Sequence, residues 1–174
     1  MANSIMSTLD FSDCPIGDNG AQALSEALKT NRTLTTLYLL SSSIGHSGVQ
    51  ALSEALKANR NLITLNLRFN PIGINGARAL SEALMTNSTL TTLDLYGSPA
   101  RSFGDNGAQA LSKALKANRT LTTLNLCDNL IDDNGIQTLS EALKTNRTLT
   151  TLNLRKNKIG DNGAQELGPL KTKF

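Results

Sequence analysis

The 174 residues predict an α/β solenoid, a short horseshoe with a parallel β-sheet on its concave face and α-helices on its convex face. Two observations carry this. The block AQALSEALKTNRTLTTL at 21–37 returns, with few changes, at 49–65, 77–93, 108–124 and 136–152, so its starts lie 28, 28, 31 and 28 residues apart. Such a period is the mark of stacked supersecondary units, each burying its apolar face against the next. Each copy also joins a stretch of period two to a stretch of period 3.6, which reads as strand then helix.

The strand comes from Leu-x-x-Leu-x-Leu: Leu34/Leu37/Leu39, Leu62/Leu65/Leu67, Leu90/Leu93/Leu95, Leu121/Leu124/Leu126 and Leu149/Leu152/Leu154. Met6/Leu9/Phe11 supply a sixth, less regular copy. Three residues past the last Leu stand Asn70, Asn129 and Asn157, replaced elsewhere by Cys14, Ser42 and Ser98. A polar side chain there can bond the turn between stacked repeats, and the series predicts a weaker ladder in the first half. An apolar anchor follows at Ile16, Ile44, Ile72, Phe103, Ile131 and Ile159. Asp18, Asp105, Asp133 and Asp161 then stand as expected helix N-caps, with His46 and Ile74 as poorer ones. In the helix, Ala21, Leu24 and Leu28 form the core-facing stripe, and small Ala23 and Ala27 are expected to let it approach the sheet. Asn31, Asn59, Asn87, Asn118 and Asn146 close the helices, where a left-handed residue is expected. Strands stack about 4.8 Å apart and helices 8–10 Å apart, so the stack curves with the sheet inside.

Composition excludes several functions. A net charge of +3 is mild, and with aromatics at 3 % and no Trp there are few faces on which bases could stack, so no nucleic-acid partner is expected. Basic residues recur once or twice per repeat at helix ends (Lys29, Arg32, Lys57, Arg60, Lys116, Arg119, Lys144, Arg147), where cations complement the helix dipole. Cys14 and Cys127 stand four repeats apart, roughly 19 Å at the strand spacing, too far for a disulfide. Free thiols, an N-terminus without a basic-then-apolar leader and no long apolar run predict a cytoplasmic protein with no membrane partner. Four Asn-x-Thr sequons, at Asn31, Asn87, Asn118 and Asn146, recur at the repeat period and read as structural.

The motifs Leu-x-x-Leu-x-Leu and IGDNGAQALSEALKTN resemble the leucine-rich repeat family, over about residues 6–174, in its ribonuclease-inhibitor-like subfamily. The uniform repeat length is more similar to the repeat regions of NOD-like receptors and Ran GTPase-activating proteins than to ribonuclease inhibitor. The resemblance implies protein recognition through the concave sheet.

Comparing the repeats with one another locates that recognition. Variation collects at three outward strand positions. The first reads Asp10, Tyr38, Asn66, Asp94, Asn125, Asn153. The second reads Ser12, Leu40, Arg68, Tyr96, Cys127, Arg155, and the third Asp13, Ser41, Phe69, Gly97, Asp128, Lys156. Tyr38, Leu40, Phe69 and Tyr96 would lie mid-sheet, acids at the N-terminal end, and Arg155 and Lys156 at the C-terminal end. Aromatics and Arg are the common anchors of interfaces. The longer spacing inserts three residues in Tyr-Gly-Ser-Pro-Ala-Arg-Ser, which brings Arg101 near Tyr96 at the rim. The expected partner-binding residues are therefore Tyr38, Leu40, Asn66, Arg68, Phe69, Asp94, Tyr96, Arg101, Asn125, Asp128, Asn153, Arg155 and Lys156.

No metal, cofactor or catalytic group is expected. His46 has no matching His or Cys, Asp132-Asp133-Asn134-Gly135 lacks calcium-loop spacing, Cys127 has no activating His, and no phosphate-loop Lys follows the glycines. The chain reads as one domain over 1–174 with about six repeats, its N-terminal end uncapped. Its last helix is cut short by Gly168-Pro169, and 161–174 form a partial cap to which Leu170 and Phe174 contribute. The first expectation is a non-enzymatic module binding an unidentified protein. The alternatives are a structural segment of a larger receptor-like protein, self-associating through the open N-terminal edge, and a regulator of a small GTPase.

Overall fold

The computed structural model describes residues 6–97 and 99–168. Six three-residue strands alternate with helices: β1 Thr8–Asp10, α1 Gly17–Thr30, β2 Thr36–Tyr38, α2 His46–Ala58, β3 Thr64–Asn66, α3 Gly73–Thr86, β4 Thr92–Asp94, α4 Gly104–Ala117, β5 Thr123–Asn125, α5 Asp133–Thr145, β6 Thr151–Asn153 and α6 Asp161–Leu167. A short 3-10 turn, Pro99–Arg101, lies between β4 and α4. The strands form one parallel sheet in the order β1 to β6. Their register puts Leu9, Leu37, Leu65, Leu93, Leu124 and Leu152 in one row, so the three extra residues are absorbed after β4 without a slip.

The core is the Leu ladder. Leu37, Leu65, Leu93 and Leu124 are at most 1 % exposed, as are Leu39, Leu67, Leu95 and Leu126. At roughly 2 kcal/mol per buried Leu, these rows and the helical Leu52, Leu80, Leu111 and Leu139 dominate stability. The end repeats bury less: Leu9, Phe11, Ile16 and Leu24 at one end, and Leu152, Leu154 and Ile159 at the other, are only partly covered. Beside β1, Met6, Leu9, Leu24, Ala27 and Leu34 line an apolar cleft of about 140 Å³. Leu170 and Phe174 lie outside the described residues, as do Ile5 and Ser98.

Three sequence expectations need correction. Ala23 and Ala27 are exposed on α1, whereas Ala55, Ala83, Ala114 and Ala142, at the place of Ala27, are 0 % exposed. The difference is that α1 has no helix before it among the described residues, so this Ala fits the seam between successive helices rather than the approach to the sheet.

The Asn residues that close the helices are extended, with φ of −67° to −72° and ψ of 133° to 140°, and not left-handed. They are fixed by their amides. Asn118 Oδ1 accepts from the Thr120 and Leu121 N–H groups at 2.9 and 2.7 Å. Its Nδ2 donates to the Leu84 and Asn87 carbonyls of the previous repeat at 2.8 and 3.3 Å. Asn59, Asn87 and Asn146 repeat both halves of the pattern. Three of the four sequon amides, at Asn87, Asn118 and Asn146, are thus engaged inside the solenoid.

The conserved-looking Asp slot does not cap its own helix; it reaches the next. Asp18 Oδ1 accepts from the Gly45 and Gly48 N–H groups at the start of α2, at 2.7 and 3.0 Å. Asp105 does the same for Asp132 at 2.8 Å, and Asp133 for Gly160 at 2.7 Å. Within its own helix, Asp132 caps α5 by accepting from Asn134 N–H. Helix entry follows the preceding Asp. Where one is present, the residue before the slot is extended: Gly45 at φ −88°, Asp132 at −107° and Gly160 at −92°. Where the preceding slot is His46 or Ile74, or none precedes, Gly73, Gly104 and Gly17 are left-handed at φ 55°, 58° and 63°. The N–H of Gly17 and of Gly104 then turns to the Ser42 and Asn129 carbonyls of the following repeat, each at 3.0 Å.

Candidate functional site

The outward columns of the sheet form one face. In the first column, the register aligns Asp10, Tyr38, Asn66, Asp94, Asn125 and Asn153. Five of these six side chains are bonded to their own chain two residues on. Asp10 accepts from Ser12 N–H at 2.8 Å, Asn66 from Arg68 at 3.0 Å and Asp94 from Tyr96 at 3.0 Å. Asn125 accepts from Cys127 and Asn153 from Arg155, each at 3.1 Å. The Ser12 donors hold the Asp10 carboxyl below its usual pKa. The column is a row of Asx turns that ends each strand. Asn66, Asp94, Asn125 and Asn153, nominated by sequence as contacts, shape the backbone, and Tyr38 is the exception.

The third column is left-handed. Asp13, Ser41, Phe69, Asp128 and Lys156 have φ between 52° and 59°. Asp is tolerated there, but an aromatic side chain is not, and Phe69 at φ 56° carries strain of order 1 kcal/mol. Gly97 is the member of this column outside the left-handed region. A Cβ on it would meet Asn129 Oδ1 and the Asp128 carbonyl oxygen, the latter at 2.7 Å.

Phe69 is held where five side chains converge. Its ring centroid lies 4.7 Å from that of Tyr96, the planes tilted by 51°. The Arg68 guanidinium carbon sits 4.7 Å from the Tyr96 centroid and 5.4 Å from that of Phe69. Arg101, from the inserted turn, donates to the Phe69 carbonyl at 2.7 Å. Lys156, sixty residues on, donates to Tyr96 Oη at 2.7 Å and lies 5.4 Å from that ring's centre. The tyrosine hydroxyl raises the Lys156 pKa above its ordinary value, so the amine is charged throughout the physiological range. Arg68 Nε is buried with no hydrogen-bond partner. Among the described residues no ion pair involves Arg68, Arg101 or Lys156; pairs such as Lys29–Glu26 and Lys57–Glu54 lie on the helices.

The structure therefore brings together Arg68, Phe69, Tyr96, Arg101 and Lys156. Tyr38 and Leu40 stand apart, toward the N-terminal end, and both are half-buried. Arg155 is exposed and occupies the column position of Arg68 three strands on. Asp128 is half-buried and precedes Asn129, whose Nδ2 donates to the Leu95 and Cys127 carbonyls at 2.8 and 3.1 Å. Cys127, expected on the open face, is 3 % exposed, and both thiols are free. Sequence reasoning missed the reach of Lys156 across two strands and the strain at Phe69. The first could not be read from column order, and a bulky residue in a column otherwise Asp, Ser, Gly and Lys was the signal for the second. Among the described residues no helix is long and apolar enough to cross a membrane, and no group of three His, Cys, Asp or Glu could hold a metal ion.

Comparison with known proteins agrees with this architecture. The family described as Leucine Rich repeat matches residues 2–25, 30–53, 58–81, 117–140 and 145–168. No curated protein matches the chain. Among solved structures, leiomodin-1 Actin-Binding Site 2 is similar at 27 % identity and a TM-score of 0.72, covering 83 % of this chain and 82 % of that one. The tropomodulin C-terminal domain of Caenorhabditis elegans has the same fold at 15 % identity and a TM-score of 0.67, covering 83 % and 86 %. With five repeat matches spread over most of its length, and with one strand and one helix per repeat, the chain belongs to the leucine-rich repeat family.

Proposed function

We propose that the chain is a non-enzymatic, cytoplasmic module that binds a protein partner through its concave sheet. The observation that carries this is the convergence of Arg68, Phe69, Tyr96, Arg101 and Lys156 on one patch, at the cost of a left-handed Phe69. Backbone strain and stacked aromatic–arginine pairs concentrate where proteins bind others. Tyr38 and Leu40 extend the surface toward the N-terminal end, and Arg155 and Asp128 toward the other. The leiomodin-1 domain is named for actin binding, which supports a protein as partner and makes actin the first one to test.

Affinity capture with the wild-type chain beside a Leu40→Glu/Tyr96→Ala variant of equal circular dichroism tests the reading, with purified actin as the first candidate ligand offered to both. A protein retained by the first and lost by the second supports it. Equal retention by both overturns it. The cleft beside β1, with Met6 46 % exposed, favours the second reading of self-association through that edge. Sedimentation of the wild type and a Leu24→Glu variant separates the two readings.

A further inference from the structure

We propose that the Arg68–Phe69–Tyr96–Arg101–Lys156 cluster receives an acidic segment of the protein partner, its carboxylates paired with these cations; this rests on the concave face being the binding face. Four observations point to carboxylates. First, the cluster gathers Arg68, Arg101 and Lys156 around one aromatic pair, with Arg155 on the same face, and none of the four has an ion-pair partner among the described residues.

Second, the Arg68 guanidinium is already partly taken out of water. Its Nε is buried with no hydrogen-bond partner, and its guanidinium carbon lies 4.7 and 5.4 Å from the Tyr96 and Phe69 ring centres, so its charge lacks compensation that a carboxylate would supply. Third, each cation is anchored by a contact that leaves charge over. Arg101 spends one N–H on the Phe69 carbonyl, and Lys156 one on Tyr96 Oη, which holds both in place; Asp128 acts on Lys156 through space without forming an ion pair, so the charge of the cluster is balanced only in part. The entropy of ordering them is therefore already met before a ligand arrives.

Fourth, the face is polar along its length. Asp10 and Asp13 lie at the β1 end, and Arg155 and Lys156 at the β6 end. A uniform polyanion such as RNA would meet repulsion at the acidic end. Within the cluster it would also find a ring already occupied, because Tyr96 has Phe69, Arg68 and Lys156 within 5.4 Å of its centre. An extended peptide crossing β3 to β6 covers roughly 14 Å, about five residues, so a short acidic stretch is long enough.

Selection of random twelve-residue peptides against the intact chain tests this, with a twelve-nucleotide uridine RNA titrated in parallel. The expected result is a surplus of Asp and Glu among selected peptides. Their affinity should fall about tenfold for Lys156→Gln and for Arg68→Gln, and the RNA should bind more weakly than the peptides. Lys156 is fully exposed, so its variant remains informative if Arg68→Gln perturbs folding. Peptides that lose binding to Leu40→Glu but carry no acidic surplus would overturn the acidic partner and leave the concave-face reading standing. Peptides indifferent to every concave-face variant would overturn both, and tighter RNA binding would overturn the proposal.

Discussion

Helix entry offers a test of how one repeat dictates the next. Gly73 is left-handed at φ 55°, and a Cβ built on it meets nothing within 4 Å. The cost of Gly73→Ala is then purely conformational. Placing an L side chain in this region costs about 1–2 kcal/mol, offset by roughly 0.4–1 kcal/mol from a less flexible unfolded chain. The net loss expected is near 1 kcal/mol. The preceding slot holds His46, whereas Asp18 in that slot holds Gly45 extended through a 2.7 Å bond to its N–H. His46→Asp supplies the same acceptor and is expected to draw Gly73 into the extended form. In that background Gly73→Ala becomes neutral or mildly stabilising, a coupling of about 1–2 kcal/mol between two residues in different repeats. Urea unfolding of the four proteins of this cycle, followed by circular dichroism, measures it. An unchanged cost of Gly73→Ala in both backgrounds would refute the claim that the Asp sets the entry of the following helix.

The Asn series predicts a positional contrast. Asn118→Asp keeps the acceptor bonds and loses the two donated to Leu84 and Asn87, which costs about 2–3 kcal/mol in urea unfolding, whereas Asn31→Asp, whose acceptor bonds to Thr33 and Leu34 survive, costs under about 1 kcal/mol. Burial chiefly, and the neighbouring Asp132, raise the Asp105 pKa above 3.8. A raised folded value means that charged Asp105 disfavours the fold at neutral pH, and that this penalty is relieved as pH falls through the raised value toward 3.8. Asp105→Asn keeps an acceptor for Asp132 N–H, so it is expected to be neutral or stabilising at pH 7 and to flatten that part of the pH–stability curve; a steeper curve would contradict this. Tyr96→Phe removes the hydroxyl that raises Lys156, and the Lys156 ammonium followed by NMR should titrate at lower pH than in the wild type.

Much of the fold was legible because the repeats answer one packing problem repeatedly. Leu37, Leu39, Ile44 and Leu56 recur at fixed spacing, and the sheet register follows that spacing through the insertion. What was not legible lies between repeats. Asp18 looks like a cap for the helix it begins, and only the stacked structure shows its carboxylate turned to Gly45. Asn31 looks like a left-handed terminator, but at its equivalents the side-chain bonds to a neighbouring repeat favour an extended backbone. In the candidate site the register aligns the first column as the repeats suggest, but the roles of its members differ from those read from sequence, and Cys127 of the second column is buried. Asn66 and Asp94 vary little in chemistry because both make the same turn, whereas Arg68, Phe69 and Tyr96 are departures from the repeat and meet.

The central claim, that a protein is held against the Phe69–Tyr96 cluster, is tested most directly by photo-crosslinking. A benzophenone amino acid at position 96 is compared with the same group at position 113, on the exposed side of α4. The account predicts a covalent adduct with the captured partner from position 96 and none from position 113. An adduct from position 113 with none from position 96 would place recognition on the helices and contradict it.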